Sequence, residues 1–545
     1  MKMKQGKRLV LFSLFVMNLV DEPAPEVAIE QGILSGKISR CGTFFEYIGI
    51  PYAKSDNNTR FQAPGPPPSW KGVYKAVEGY HMCPQKSFFG IMGSEDCLKL
   101  NVYVPVNLKD QKPLAVMVYI FGGAFLFGNA DKIVYGPRFL VKKDVILVTF
   151  NYRVALLGFL CLRTKEAPGN AGIKDQIAAL RWVKKNIAAF GGDPDNITVF
   201  GGSSGATSVS FLIASEATIG LFNRAIVQSG SSVSHWSINR KPIWVASLLA
   251  RTIGYNTEDP KVLYDIFSKL DYKDIIAINT KKPIGMFNDN TLIHKPCVEK
   301  YIPGIEPVIT DLPYKIFENK TKDLDVMYGT SSNEGIFLAP IQSDEMLESR
   351  NGRYLFASDL HFSSEKEAMM IAEKIHKFYF GDDEISSKKI LNVSKLLGHL
   401  DFEVPAIFET EYLLSRSKSK VYNYVFNYHG WRNFLKLNTG FWHEDGATHG
   451  DEVFYLFDGD LFPMVFSMDD RKMIEQLTLL WTNFAKNGNP TPEWSDLPFR
   501  WKPSAKDNLQ FLYIDRESKM GPMPSPEGYR LWKDIYSKYR RTDIT

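Results

Sequence analysis

Cysteine is scarce, with five residues in a chain of 545. That excludes a disulfide scaffold, and the five show no spacing of the kind that holds zinc. One-sided charge is missing too. Lys and Arg number 65 against 61 Asp and Glu, a formal net charge of +4 with no long basic block. A nucleic-acid partner held by phosphate neutralisation is therefore not expected. Long apolar runs are missing apart from Leu9–Val20, whose twelve residues fall short of the roughly 20 that span a bilayer. No internal repeat, low-complexity linker or clean domain boundary is visible. What remains is ordinary globular composition, 44% hydrophobic and 23% charged, with 13% aromatic residues that hint at an apolar pocket.

Four basic residues (Lys2, Lys4, Lys7, Arg8) precede that apolar run, which gives residues 1–20 the form of a secretory signal peptide. No A-x-A-like cleavage site follows directly, so an uncleaved anchor is the rival reading. N-x-S/T sequons stand at Asn57, Asn196, Asn319 and Asn392. Asn196 opens an apparent buried strand, which leaves Asn57, Asn319 and Asn392 as glycosylation candidates. The tail RRTDIT carries neither a GPI-type segment nor a retention signal. A secreted protein without a stable membrane span is expected.

Short apolar, β-branched runs alternate with helical periodicity, as in a mostly parallel sheet flanked by helices. The clearest strands are Leu114–Ile120, Val145–Tyr152, Ile197–Phe200, Ala225–Val227, Leu324–Tyr328 and Val421–Phe426, and a helix is expected over Asp175–Ala188. Two stretches interrupt the alternation, from Gly230 to Asp323 and from Gly335 to Lys420. Length alone suggests several domains at about 150 residues each. The two stretches read better as insertions that wall a gorge over an active site, within one domain spanning residues 21–545.

Phe200-Gly201-Gly202-Ser203-Ser204-Gly205-Ala206 places G-x-S-x-G between a strand and a helix-like run. Such a turn exposes a serine oxygen at the sheet's edge, and its glycines avoid collision with neighbouring backbone. A structural turn is the bland alternative. Further segments run along nearly the whole chain in a fixed order. They are Gly49-Ile50-Pro51-Tyr52-Ala53, Ser94-Glu95-Asp96-Cys97-Leu98, Asn151-Tyr152-Arg153, Gly169-Asn170-Ala171-Gly172 with Asp175-Gln176, Phe190-Gly191-Gly192-Asp193-Pro194 and Gly488-Asn489-Pro490. Together these make the chain resemble the type-B carboxylesterases, the cholinesterase-like family of the α/β-hydrolase fold, closest in flavour to its insect-type members.

A serine hydroxyl needs a base, and the base needs an orienting acid. The resemblance implies Ser203 as nucleophile, Glu334 of Asn333-Glu334-Gly335 as acid, and His449 of Gly446-Ala447-Thr448-His449-Gly450-Asp451-Glu452 as base. His443 is the rival base, and a solvated loop carboxylate is the bland reading of Glu334. The loop Phe121-Gly122-Gly123-Ala124-Phe125 is similar to the family's H-G-G-G-F segment. It implies an oxyanion hole made by the amides of Gly123, Ala124 and Ser204. Ser229 is expected to steady the Glu–His pair, and Trp236 to line or back the acyl pocket. The resemblance also implies a Cys83–Cys97 disulfide and the ion pairs Arg60–Glu95 and Arg153–Asp175. Cys41, Cys161 and Cys297 are left over and are expected to be buried free thiols.

Three departures from the family pattern matter. Gly202 replaces the usual Glu beside the nucleophile, Phe121 replaces His or Tyr, and Ala124 replaces Gly. With no Trp in the short Cys83–Cys97 loop, acetylcholine is not an expected substrate. Gly202 also counts against the juvenile-hormone-esterase branch, which has Gln there. The expectation is a serine carboxylesterase acting on neutral lipophilic esters (xenobiotic, odorant or lipid) through an acyl-enzyme, with no cofactor and no metal. A non-catalytic or slowly deacylating ligand-binding or scavenger relative is the alternative.

Overall fold

The computed structural model describes residues 23–544 except 57–58, 78, 88, 107–111, 279–292, 354–356 and 462–466. The signal-like segment and Asn57 lie outside the described residues. Eleven strands form the main sheet. In chain order they are β1 (Lys37–Ile38), β2 (Phe44–Pro51), β3 (Lys99–Pro105), β4 (Leu114–Ile120), β5 (Ile146–Phe150), β6 (Gly192–Gly202), β7 (Arg224–Gln228), β8 (Asp325–Ser331), β9 (Val421–Phe426), β10 (Gln510–Ile514) and β11 (Lys519–Pro522). Across the sheet the order is β11-β10-β9-β8-β7-β6-β4-β5-β3-β2-β1. Strands β4 to β10 run parallel, and the outer strands at both edges are antiparallel.

Every residue of β5 and β9, and all of β4 but its first, is buried. Strands covered on both faces need continuous apolar sequence, which is why these were legible as runs rather than alternations. The covering helices include α1 (Ala171–Asn186), α2 (Ser204–Ala214), α3 (Val404–Arg416), α4 (Met468–Asn487) and α5 (Pro526–Tyr539). Their ends follow local chemistry. In α4, Ser467 accepts from the Asp470 amide at 2.9 Å, Asp469 and Asp470 lie in the positive first turn, and Gly488 closes the helix at φ 68°. The helix expected over Asp175–Ala188 begins four residues earlier, at Ala171.

The second insertion is largely helical and the first carries four shorter helices among its described residues, and each sends an aromatic side chain toward the sheet's C-terminal edge. Trp236 from the first and Phe402 from the second approach with centroids 6.2 Å apart. The two implied ion pairs are formed, Arg153–Asp175 buried and Arg60–Glu95 partly so. Arg60 bonds Glu95 at 2.6 and 2.8 Å, and Arg153 holds Asp175 at 2.7 and 2.5 Å while reaching the carbonyls of Arg60 and Gln62.

The cysteines correct the sequence reading. Cys83–Cys97 is bonded, but so is Cys161–Cys297, a pair expected to be free thiols. Cys161 and Cys297 are 136 residues apart, so only the packing of the first insertion beside the loop after β5 brings them together. Gly169 makes room for the bridge, since a Cβ there would stand 2.6 Å from the Cys297 sulfur. Cys41 is free, as expected, but exposed rather than buried. Of the sequon residues, Asn319 is exposed at a helix end, whereas the Asn392 amide nitrogen donates to the Tyr379 carbonyl at 2.7 Å. No helix of the described residues is long and apolar enough to cross a membrane, and no His/Cys/Asp/Glu group among them could hold a metal ion.

Candidate active site

Ser203 occupies the joint between β6 and α2 at φ 59° and ψ −128°, a region that costs a non-glycine residue about 1–3 kcal/mol. Its surroundings enforce that conformation. The Ser203 amide donates to the Gln228 carbonyl at 2.9 Å, and the Thr207 amide returns to the Ser203 carbonyl at 2.9 Å. The flanking glycines are sterically required: a Cβ on Gly205 would lie 2.1 Å from the Ile120 carbonyl oxygen, and one on Gly201 2.7 Å from the same atom. The next strands supply the remaining groups. Glu334 follows β8, and His449 follows β9 after a longer loop. Parallel strands deliver all three to the same sheet edge.

His449 Nδ1 and Glu334 Oε2 are 2.7 Å apart, both side chains being almost wholly buried. The other carboxylate oxygen accepts from Ser229 Oγ at 2.5 Å and from the Ser331 amide at 2.7 Å. Glu334 is thus held by three donors and fixes the imidazole's orientation. Burial alone would favour the neutral imidazole, but the Glu334 charge and hydrogen bond outweigh it, and the His449 pKa lies above 6.5. Aromatic rings cover the imidazole, with Phe402 at 4.4 Å and Phe337 at 5.4 Å between centroids. Among the described residues Ser203 Oγ makes no hydrogen bond; such contacts often tighten only when substrate arrives. His443 lies six residues upstream of His449, on the loop leading to it.

The glycine loop after β4 packs on the nucleophile. A Cβ on Gly122 would meet the Ser203 Cβ at 2.9 Å, and Gly123, Ala124 and Phe125 all adopt positive φ (128°, 56° and 60°). The Phe125 amide donates to Ser204 Oγ at 3.2 Å, tying this loop to the first residue of α2. No backbone acceptor is recorded for the amides of Gly123, Ala124 or Ser204 among the described residues. Phe121 is buried, stacks on Tyr152 at 4.3 Å, and offers its carbonyl to the Tyr152 hydroxyl.

The carboxylesterase family profile matches residues 23–532. The chain belongs to the carboxylesterase family. It is 32% identical over 522 residues to Esterase FE4 of Myzus persicae, covering 90% of each chain. With a carboxylic ester hydrolase of Bombus ignitus it shares 33% identity over 559 residues, 97% of each chain. Among solved structures, juvenile hormone esterase from Manduca sexta superposes with a TM-score of 0.83 at 26% identity, covering 95% of this chain and 100% of that one. This carboxylesterase therefore has the α/β-hydrolase fold and is an ester hydrolase.

Sequence reasoning gave no role to Glu452, a carboxyl at the end of the base motif. Glu452, three residues past His449, is buried, and burial followed by the nearby Glu334 charge pushes it up to about 7. It accepts from Gln228 Nε2 at 3.3 Å and Ser331 Oγ at 3.4 Å. Next to it Gly202 leaves space, because a Cβ there would touch nothing nearer than Val453 at 3.4 Å. A glutamate in an exposed-looking His-Gly-Asp-Glu string carries no signal of burial.

Proposed function

We propose that the carboxylesterase cleaves neutral, lipophilic carboxylic esters through an acyl-enzyme, with Ser203 as nucleophile, His449 as base and Glu334 as orienting acid. The bond between Glu334 and His449 Nδ1 carries this reading, together with the strained backbone of Ser203 at the strand–helix joint. It leaves Nε2 as the basic nitrogen. Ser203 Oγ attacks the ester carbonyl and its proton passes to Nε2. The oxyanion is stabilised by the Gly123, Ala124 and Ser204 amides, each such donor being worth about 3–4 kcal/mol in the transition state. The imidazolium returns its proton to the leaving alcohol. Water, deprotonated by the same base, then releases the acid.

The substrate class is inferred from charge and lining. Gly202 brings no carboxylate to the nucleophile, and Phe402 and Phe337 offer apolar surface at His449, with Trp236 packed against Phe402. We infer export to an oxidising compartment as well, since two disulfides are stable there and scarce in the reducing cytosol.

Rapid-mixing kinetics with p-nitrophenyl esters of graded acyl length test the scheme. Steady turnover that vanishes in Ser203→Ala is expected. A single stoichiometric burst would identify a scavenger, and full activity in Ser203→Ala would overturn the assignment.

A further inference from the structure

A second carboxyl, outside the proposed triad, is built into the far side of the same turn. Glu409 on α3 is fully buried, and no cation pairs with it among the described residues. Its partners are hydroxyls: Ser210 Oγ at 2.7 and 2.8 Å, Ser231 Oγ at 2.5 Å and the Tyr328 hydroxyl at 3.0 Å. These come from α2, from the segment after β7 and from β8, so one carboxyl joins the three elements that present Ser203, Ser229 and Glu334.

The protons available to this cluster favour a neutral Glu409. The Tyr328 hydroxyl also lies 2.7 Å from the Gly230 carbonyl, and it is that carbonyl's only recorded donor among the described residues. Tyr328 has one proton. If Glu409 is neutral, its own O–H donates to the Tyr328 oxygen, and the tyrosine proton is free to bond Gly230. Ser210 and Ser231 then donate to the carboxyl, and each contact of the carboxyl itself holds a proton. If Glu409 is ionised, Tyr328 turns to the charge, and the Gly230 carbonyl is left buried and unpaired.

Gly230 is a consequential place for that change. A Cβ on it would stand 2.3 Å from the Ser203 carbonyl oxygen, and its neighbour Ser229, at φ 58°, donates to Glu334. We propose that Glu409 is a positioning residue for ester hydrolysis. Its neutral carboxyl, acting through Tyr328, clamps the Ser229–Ser231 turn against Ser203 and keeps Ser229 on Glu334; loss of its proton loosens the turn and slows turnover. The proposal rests on the esterase reading above.

Burial raises the Glu409 pKa to about 7, even though hydrogen bonds from Ser231, Ser210, Tyr328 and the Ser232 backbone N–H, which also bonds Ser210 Oγ at 2.9 Å, favour the anion. Tyr328 is the titratable group in contact with it, and Tyr424 on β9 lies beyond Tyr328. Charges on the other elements around α3 are engaged elsewhere. Glu318 on the Pro313–Asn319 helix accepts from Tyr412, Lys533 on α5 pairs with Glu411, and Arg540 bonds the Tyr412 hydroxyl.

The test is the pH dependence of kcat between pH 5.5 and 9.5 for the full-length enzyme with p-nitrophenyl acetate. Wild type is expected to rise as His449 deprotonates and then fall to a plateau about fivefold lower as Glu409 ionises, the weight of one hydrogen bond. KM should be steady across the fall. Glu409→Gln cannot ionise, and its amide N–H replaces the acid proton toward Tyr328, so the alkaline fall should vanish. Tyr328→Phe should sit on the lower plateau throughout, which keeps the test decisive if Glu409→Gln fails to fold. Profiles of these variants superimposable on wild type would overturn the role of Glu409 alone. A chain that hydrolyses no ester, or does so equally well as Ser203→Ala, would overturn the esterase reading and this one with it.

Discussion

Glu334→Gln tests the site's logic most sharply, because the hydrogen bonds dictate how the amide must sit. One oxygen of Glu334 accepts from both the Ser229 hydroxyl and the Ser331 amide, and the other faces His449 Nδ1 at 2.7 Å. Glutamine has one acceptor end and one donor end. Placing its oxygen toward Ser229 and Ser331 preserves two bonds and turns the NH2 toward Nδ1. Nδ1 must then accept, which moves the imidazole proton to Nε2, the nitrogen that has to receive the Ser203 proton. Flipping the amide restores the tautomer but leaves the buried Ser331 N–H facing another donor, at about 1–3 kcal/mol. Either way the imidazolium also loses its neighbouring charge. A loss in kcat of about 10⁴-fold is expected, as for other triads forced into the wrong tautomer.

The residual activity should shift as well. Burial opposes protonation of His449 while the Glu334 charge and hydrogen bond support it. Removing the charge leaves the burial, so the acid limb of kcat should move from above pH 6.5 to below it. In wild type the raised pKa means that His449 contributes stability below about pH 6.5, which is lost as pH rises through its folded value. Steady-state kinetics from pH 5 to 9, with a thermal melt to confirm folding, would measure both effects. A folded Glu334→Gln enzyme within tenfold of wild-type kcat would refute the tautomer argument.

Replacing Cys161 and Cys297 together by Ser should destabilise more than replacing Cys83 and Cys97. The loops close over 136 and 14 residues, which chain entropy converts to about 5 and about 3 kcal/mol; equal denaturation midpoints for the two double variants would contradict this. Gly202→Glu should fold, since its Cβ has room, and should raise kcat/KM for a choline ester over its neutral isostere by about tenfold through a near-surface charge attraction. Competing the two esters reads that ratio directly, and no change would remove Gly202 as a determinant of charge preference. Gly205→Ala should abolish soluble expression or activity, because its methyl would sit 2.1 Å from the Ile120 oxygen. Wild-type turnover there would refute the close-approach account of the elbow.

Much of the fold was legible because its central strands are buried on both faces. Leu114–Ile120 and Val421–Phe426 were read to the residue, and Ile197–Phe200 was found as the core of the longer Gly192–Gly202. The short edges Lys37–Ile38 and Lys519–Pro522 were not, having neither continuous apolar character nor clear alternation, and Phe44–Pro51, Lys99–Pro105 and Gln510–Ile514 were not named either, although they are mostly buried. In the site, the motif residues stood out because glycine spacing is imposed by backbone contact. Glu409 and Glu452 did not, because a carboxyl's burial depends on distant segments folding over it.

The sequence by itself determined the parts that obey local rules. It specified the strand–turn–helix around Ser203, whose glycines are set by immediate steric contact, and the low net charge and scarce cysteine that narrowed the function classes. Only the tertiary structure decided which cysteines pair, since Cys161 and Cys297 meet through 136 residues of intervening chain. It alone also decided that Glu409, Asp451 and Glu452 lie buried near the catalytic groups, where burial pushes each up to about 7. Ionisation answers to the dielectric and hydrogen bonds supplied by distant neighbours, and no local pattern of residues encodes those.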